Sequence, residues 1–209
     1  MLAFSRITSI LLFVLSLSFL TCAAPAPKAN DLAIREGVRG DDGLLVAGCI
    51  DLLTKTNTHA DLISKTDDPV EAKAAVALVV NDLKVYADLV SKVKGLKANL
   101  DVQAEIAAHL LVIVKAVIKI CASLIAKFGL NVALELIATV QVALKLVIDN
   151  LNICITGFLD VFVKIVAEAD VKALADVHLN AILKVIVALR VKLGLGVNIN
   201  VAGLVGVAL

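Results

Sequence analysis

Aromatic side chains are almost absent: they make up 3% of the 209 residues, with no Trp and one Tyr. A core locked by interleaved rings is therefore excluded. Whatever core forms must be built from Leu, Val, Ile and Ala, which repack or admit an apolar guest more readily than an aromatic-rich interior. No cluster of Lys or Arg with interleaved aromatics occurs, so the chain lacks the electrostatic and stacking footprint that nucleic acid requires. The three histidines, His59, His109 and His178, lie in three separate segments without metal-ligand spacing. There is no Gly-rich phosphate loop, no GxSxG elbow and no paired His/Cys site. The sequence thus offers no catalytic residue, no metal ligand set and no cofactor motif, and it reads as a non-enzyme. No Asn-x-Ser/Thr sequon occurs either.

What is present is aliphatic. Apolar residues reach 60%, where globular chains average about 45–50%. Met1 to Ala23 reads as a secretory signal: Arg6 precedes an apolar run from Ile7 to Leu20, and Thr21-Cys22-Ala23 supplies small residues at the cleavage site. Cleavage removes Arg6 from 20 Lys and Arg and leaves them level with 19 Asp and Glu. A chain of near-zero net charge has little repulsion to keep its copies apart, which favours self-association or contact with an interface.

The dominant pattern is a helical period. Leu110, Val114, Val117, Cys121, Leu124 and Phe128 recur every three to four residues, and Val140, Leu144, Val147, Leu151, Cys154, Phe158, Phe162 and Ile165 continue the pattern after Gly129. Lys115, Lys119, Lys127, Glu135, Lys145, Asp149, Asp160 and Lys164 interrupt every apolar run, so no internal stretch reaches the roughly 18 uncharged residues of a membrane span. Their spacing draws a polar stripe along amphipathic helices.

Earlier helices are predicted from Leu44 to Ile63, with a possible break over Thr54–His59, and from Pro69 to Lys94. Asp68 caps the latter, Pro69 occupies its first turn and Glu71 closes a capping box. A third helix is expected from Asp101 to Phe128, a fourth from Asn131 that bends at Gly157 without ending, and a fifth from Asp170 to Leu193. The Gly-Leu helix stop at Lys94-Gly95-Leu96 recurs at 127–130 and 192–195, both of the order Lys, apolar residue, Gly, Leu, either as traces of an internal repeat or as convergent punctuation. The reading is all-α: a bundle of about five long amphipathic helices, mainly up-and-down, over 44–193. A Pro- and Gly-containing spacer over 24–43 precedes it, and an uncharged extended tail over 194–209 follows.

Three cysteines remain after signal removal. In an up-and-down bundle Cys49 and Cys154 fall at the same end, whereas Cys121 lies far from Cys154. The expectation is a Cys49–Cys154 disulfide with Cys121 a buried free thiol, against the alternative that all three pack as small apolar side chains.

A signal followed by Ala24-Pro25-Ala26-Pro27, five Leu/Val/Ala helices between Leu44 and Leu193, and no catalytic motif together resemble the small secreted fungal proteins of the hydrophobic-surface-binding and cell-wall mannoprotein type. This chain departs from them in its higher hydrophobicity and its three mature cysteines. The resemblance implies an extracellular protein, associated with the cell wall, that adsorbs to apolar surfaces or holds fatty-acid-like lipid between helices. On that reading the lipid lining comprises Leu110, Val114, Val117, Leu124, Phe128, Val140, Leu144, Val147, Leu151, Phe158 and Phe162, although a Leu/Val stripe of this spacing is more often plain core than a ligand wall. The competing readings are a structural or effector protein that buries the same surface in an oligomer or partner, and a protein that inserts into, or peripherally contacts, a membrane.

Overall fold

The computed structural model describes residues 40–93, 96 and 98–196, all within the compact unit Arg39–Leu209. Among them seven helices form: α1 (Asp41–Lys65), α2 (Pro69–Lys92), α3 (Leu100–Phe128), α4 (Leu130–Cys154), α5 (Phe158–Ile165), α6 (Glu168–Asp176) and α7 (Asn180–Lys192). The class is all-α, but with four long helices and three short ones rather than five long ones. The signal, the spacer up to 39 and the tail from 197 lie outside the described residues. The end of the expected spacer, Asp41 to Gly43, is already the first turn of α1.

Local chemistry explains most of the boundaries. The Asp68 carboxylate accepts the Val70 N–H at 2.8 Å, and Pro69 occupies the first turn where its missing N–H is not needed. Glu71 does not close the capping box. It accepts the Thr66 hydroxyl at 2.7 Å, and Thr66 in turn accepts the Asp68 N–H. Asn99 caps α3 through the Val102 N–H. The suspected break at Thr54–His59 does not occur, because the hydroxyls of Thr54, Thr56 and Thr58 donate to carbonyls four residues back and Thr56 is buried. Gly129 separates α3 from α4 at φ 77° and ψ 162°, a conformation essentially confined to glycine.

Two expected helices are divided. The fourth ends at Cys154, and Gly157 at φ 81° turns the chain into α5. The fifth is split into α6 and α7 at Val177–Leu179, where His178 adopts φ 60°. At the end of α7 the expected glycine stop is present: the Leu195 N–H reaches the Arg190 carbonyl at 2.8 Å, with Gly194 at φ 67°.

The four long helices pack around a square in which α1 neighbours α2 and α3, and α4 neighbours the same two. Cross-links fix their directions. His59 meets Asp82 at 3.0 Å and the Tyr86 hydroxyl donates to the Leu45 carbonyl, which makes α1 and α2 antiparallel. Lys119 meets Asp61 at 2.9 Å and Lys127 meets Asp67 at 3.0 Å, placing the C-terminal ends of α1 and α3 together. Asn150 donates to the Ala87 carbonyl, and the Leu96 N–H to the Cys154 carbonyl, so α2 and α4 run parallel. The long helices therefore alternate up and down.

The short helices cover the α3–α4 edge. Phe158 and Phe162 of α5 are the largest fully buried side chains, stacked at 6.2 Å between ring centroids. Lys115 of α3 meets Asp170 of α6, and Gln141 of α4 accepts the Ala181 N–H at the start of α7. By length and hydropathy α3 and α4 are each sufficient to cross a membrane, yet fewer than half of the residues in their most apolar windows are buried within the bundle. Their outer faces are therefore the issue for function.

Candidate binding surface

The inward seams form one continuous core. Leu110, Val114, Val117, Leu124, Val140, Leu144, Val147, Leu151, Phe158 and Phe162 are all buried, and Phe128 packs partly buried against the same cluster. The structure thus brings the eleven expected lining residues together, but as mutual packing partners and not as the wall of an open cleft. Lipid reaches them only if the helices part.

The expected Cys49–Cys154 disulfide is not formed: all three described cysteines are free and buried. Both thiols do lie at one end of the bundle, yet α1 and α4 sit on opposite corners of the square. Tyr86 of α2 is the group they share, bonding Cys49 and lying within electrostatic reach of Cys154. Burial pushes the Cys49 thiol up to about 12, offset in part by the Tyr86 hydrogen bond. Burial likewise raises Cys121 to about 12. It raises Cys154 as well, against the bond from Leu96 and with Asp41 and Asp42 adding to the rise. Thiols held neutral in this way are poor nucleophiles and poor metal ligands.

Large aliphatic side chains remain outside. They concentrate on α4, where Leu130, Val132, Leu134, Val142, Leu146 and Ile153 are all exposed. Val142 retains 67% of its surface and Ile153 79%. The charged groups on this helix are few. Glu135 stands alone, and Lys145 and Asp149 neutralise each other one turn apart. The outer face carries these Val, Leu and Ile side chains among Asn131, Glu135, Thr139, Lys145 and Asn152, and so exposes more large aliphatic surface than a solvated face requires. The signal was visible in the sequence as the low charge density from Leu130 to Leu144, but the inward seam drew attention from it.

A second apolar feature runs along the outer seam of α1 and α2. One depression of about 220 Å³ is lined by Gly48, Leu52, Val85, Tyr86 and Leu89 together with Asp51, Lys55, Asp82 and Lys92. Another of about 290 Å³ is lined by Leu62, Ala74, Ala75 and Leu78 together with Thr66 and Glu71. Gly48 allows close packing at the first depression: a Cβ at that position would stand 2.7 Å from the Leu89 Cδ2 methyl, which would have to shift. Asp82, in the lining of the first depression, is paired with His59 at 3.0 Å.

No group of His, Cys, Asp and Glu able to hold a metal occurs among the described residues. His109 sits one turn from Glu105 on α3, and His178 occupies the α6–α7 turn. Neither stands in a cleft with a nucleophile. No protein family, curated protein or solved structure matches the chain.

Proposed function

We propose that the protein is a secreted, non-enzymatic helical bundle that adsorbs reversibly to apolar surfaces and takes up fatty-acid-like lipid. The observation that carries this reading is the outer face of α4, where six large aliphatic side chains face outward beside a single unpaired charge. Amphipathic helices of this kind hold an interface through buried apolar area and release it without unfolding. The two α1–α2 depressions supply concave counterparts, with Leu62 and Leu78 in one and Val85 and Leu89 in the other to meet an acyl chain. The likeness to secreted fungal surface-binding proteins belongs to this proposal, as does an extracellular location.

The test is adsorption of the purified chain to alkyl-coated particles, compared with a variant carrying Val142→Asp and Ile153→Asp. Burying a Val or Ile side chain contributes about 1.5–3 kcal/mol. Loss of two such side chains, both largely exposed before contact, weakens adsorption on the order of a hundredfold. Wild-type protein that does not adsorb, or a variant that adsorbs equally well, removes the proposal. Native mass spectrometry with palmitate tests the lipid half, with a 1:1 complex expected.

A further inference from the structure

The outer strip of α4 carries more order than an adsorbing face needs. At 100° per residue, Asn131, Glu135, Ala138, Val142, Lys145 and Asp149 fall within an arc of about 80°, with Leu134 and Leu146 just beyond its two edges. Glu135, Ala138 and Val142 are exposed, and Lys145 and Asp149 are half-exposed. We propose that this strip docks antiparallel on the α4 strip of a second copy of the chain, about a two-fold axis level with Val140.

The argument is charge complementarity in a single register. With the axis at that level, Glu135 of one copy stands opposite Lys145 of the other, Ala138 opposite Val142, and Asn131 opposite Asp149. Each pairing occurs twice, as a two-fold interface requires. The apolar centre is flanked on both sides by Glu–Lys contacts, and the Asn131 amide is placed to donate to the Asp149 carboxylate. Ala138 is small enough to let the helix backbones approach, and Leu134 and Leu146 cover the margins. Alternative registers are worse on the same residues. Sliding one helix by four residues one way sets Glu135 against Asp149, sliding it the other way loses both Glu–Lys contacts by placing Glu135 opposite Gln141 and Lys145 opposite Asn131, and a parallel arrangement sets Glu135 against Glu135 and Lys145 against Lys145. Lys145 already holds Asp149 within its own helix at 2.5 Å, so in the pair it lies between two carboxylates. Glu135, which has no ion-pair partner among the described residues, gains one.

A contact restricted to one helix per copy lies at the small end of specific interfaces. The dimer is accordingly weak, with a Kd on the order of micromolar. It covers Val142, the residue on which adsorption also depends, so an apolar surface competes with the second copy for the same face.

The experiment is sedimentation equilibrium of the full chain and of two single variants, Glu135→Lys and Lys145→Glu. Wild type is expected to show a monomer–dimer equilibrium. Each variant alone faces two like-charge contacts per dimer, and its Kd rises on the order of tenfold or more. Mixed in equal amounts, the two variants form a heterodimer, because one copy then presents Lys at both positions and the other Glu. Recovery on mixing also shows that both variants are folded. A wild type that stays monomeric, reversals that leave the Kd unmoved, or a mixture that stays monomeric overturns the proposal. Adsorption to particles is read separately, so a monomer that adsorbs leaves the functional proposal standing and removes only this one.

Discussion

Replacing Leu144 by Ala distinguishes a closed core from a lipid lining. Leu144 is fully buried on the inner face of α4, within the same cluster as Leu110, Val117 and Phe158. If that cluster is ordinary core, the truncation removes apolar contacts and leaves a cavity, for a cost of about 2–5 kcal/mol. For a domain of this size each kcal/mol lowers Tm by roughly 2–4 °C, so a fall of about 5–15 °C is expected. Urea unfolding monitored by circular dichroism provides the free energy, and an unchanged m-value confirms that the native and unfolded states are otherwise alike. Palmitate binding is measured on the same variant and on Leu78→Ala, which lies half-exposed in the α1–α2 seam. The expected pattern is a large stability loss with retained binding for Leu144→Ala, and the reverse for Leu78→Ala. A Leu144→Ala variant that loses less than about 1 kcal/mol and also loses palmitate would refute the closed-core reasoning.

Three further perturbations have defined outcomes. Gly129→Ala forces a Cβ onto backbone at φ 77° and ψ 162° and should cost about 1–3 kcal/mol in thermal or urea unfolding. Asp68→Ala removes the acceptor of the Val70 N–H and should cost about 0.5–2 kcal/mol, with Asp68→Asn retaining most of it. Cys49 and Cys121 are raised from 9.0 to about 12 in the folded chain. The unfolded chain therefore releases these protons at lower pH than the folded one, so stability is intact below about pH 9 and falls as pH rises from there towards 12. Urea midpoints that stay flat over that interval count against the burial of these thiols, as does rapid labelling of the native protein by iodoacetamide at pH 8.

The sequence made the inner half of the fold legible and left the outer half obscure, for physical reasons. Asp68-Pro69 announces a helix start because capping and the missing proline N–H act within one turn. The Leu110 and Val140 seams announce an inward face because burial imposes the 3.6-residue period. The breaks at Gly157 and His178 escape that logic. Lys172, Asp176, Asn180 and Lys184 keep a four-residue spacing across Val177–Leu179, so the polar stripe stays in phase while the chain leaves the helix. His178 takes a positive φ, which His adopts more readily than most side chains but which no glycine marks in the sequence. Thr54–His59 fails in the opposite sense. Weak propensity suggested a break, but burial of Thr56 and hydroxyl bonds to the preceding turn maintain α1. The disulfide expectation placed Cys49 and Cys154 correctly at one end. It lacked the lateral arrangement, which alone reveals that α1 and α4 are diagonal.

Periodicity also cannot say whether an apolar outer face is surplus or purposeful, and α4 shows where the distinction lies. An inner seam alone satisfies the needs of the core, since Val140, Leu144, Val147 and Leu151 are already buried. Val142, Leu146 and Ile153 add nothing to that core, and their exposure carries a solubility penalty that a polar residue would avoid. Glu135 and Lys145 lie five residues on either side of Val140, so a two-fold axis at that level sets each against the other's opposite charge. On the dimer proposal these two charges select a partner of matching pattern, which an apolar particle does not supply. A second copy of α4 does, which is why charge reversal separates specific pairing from general adsorption.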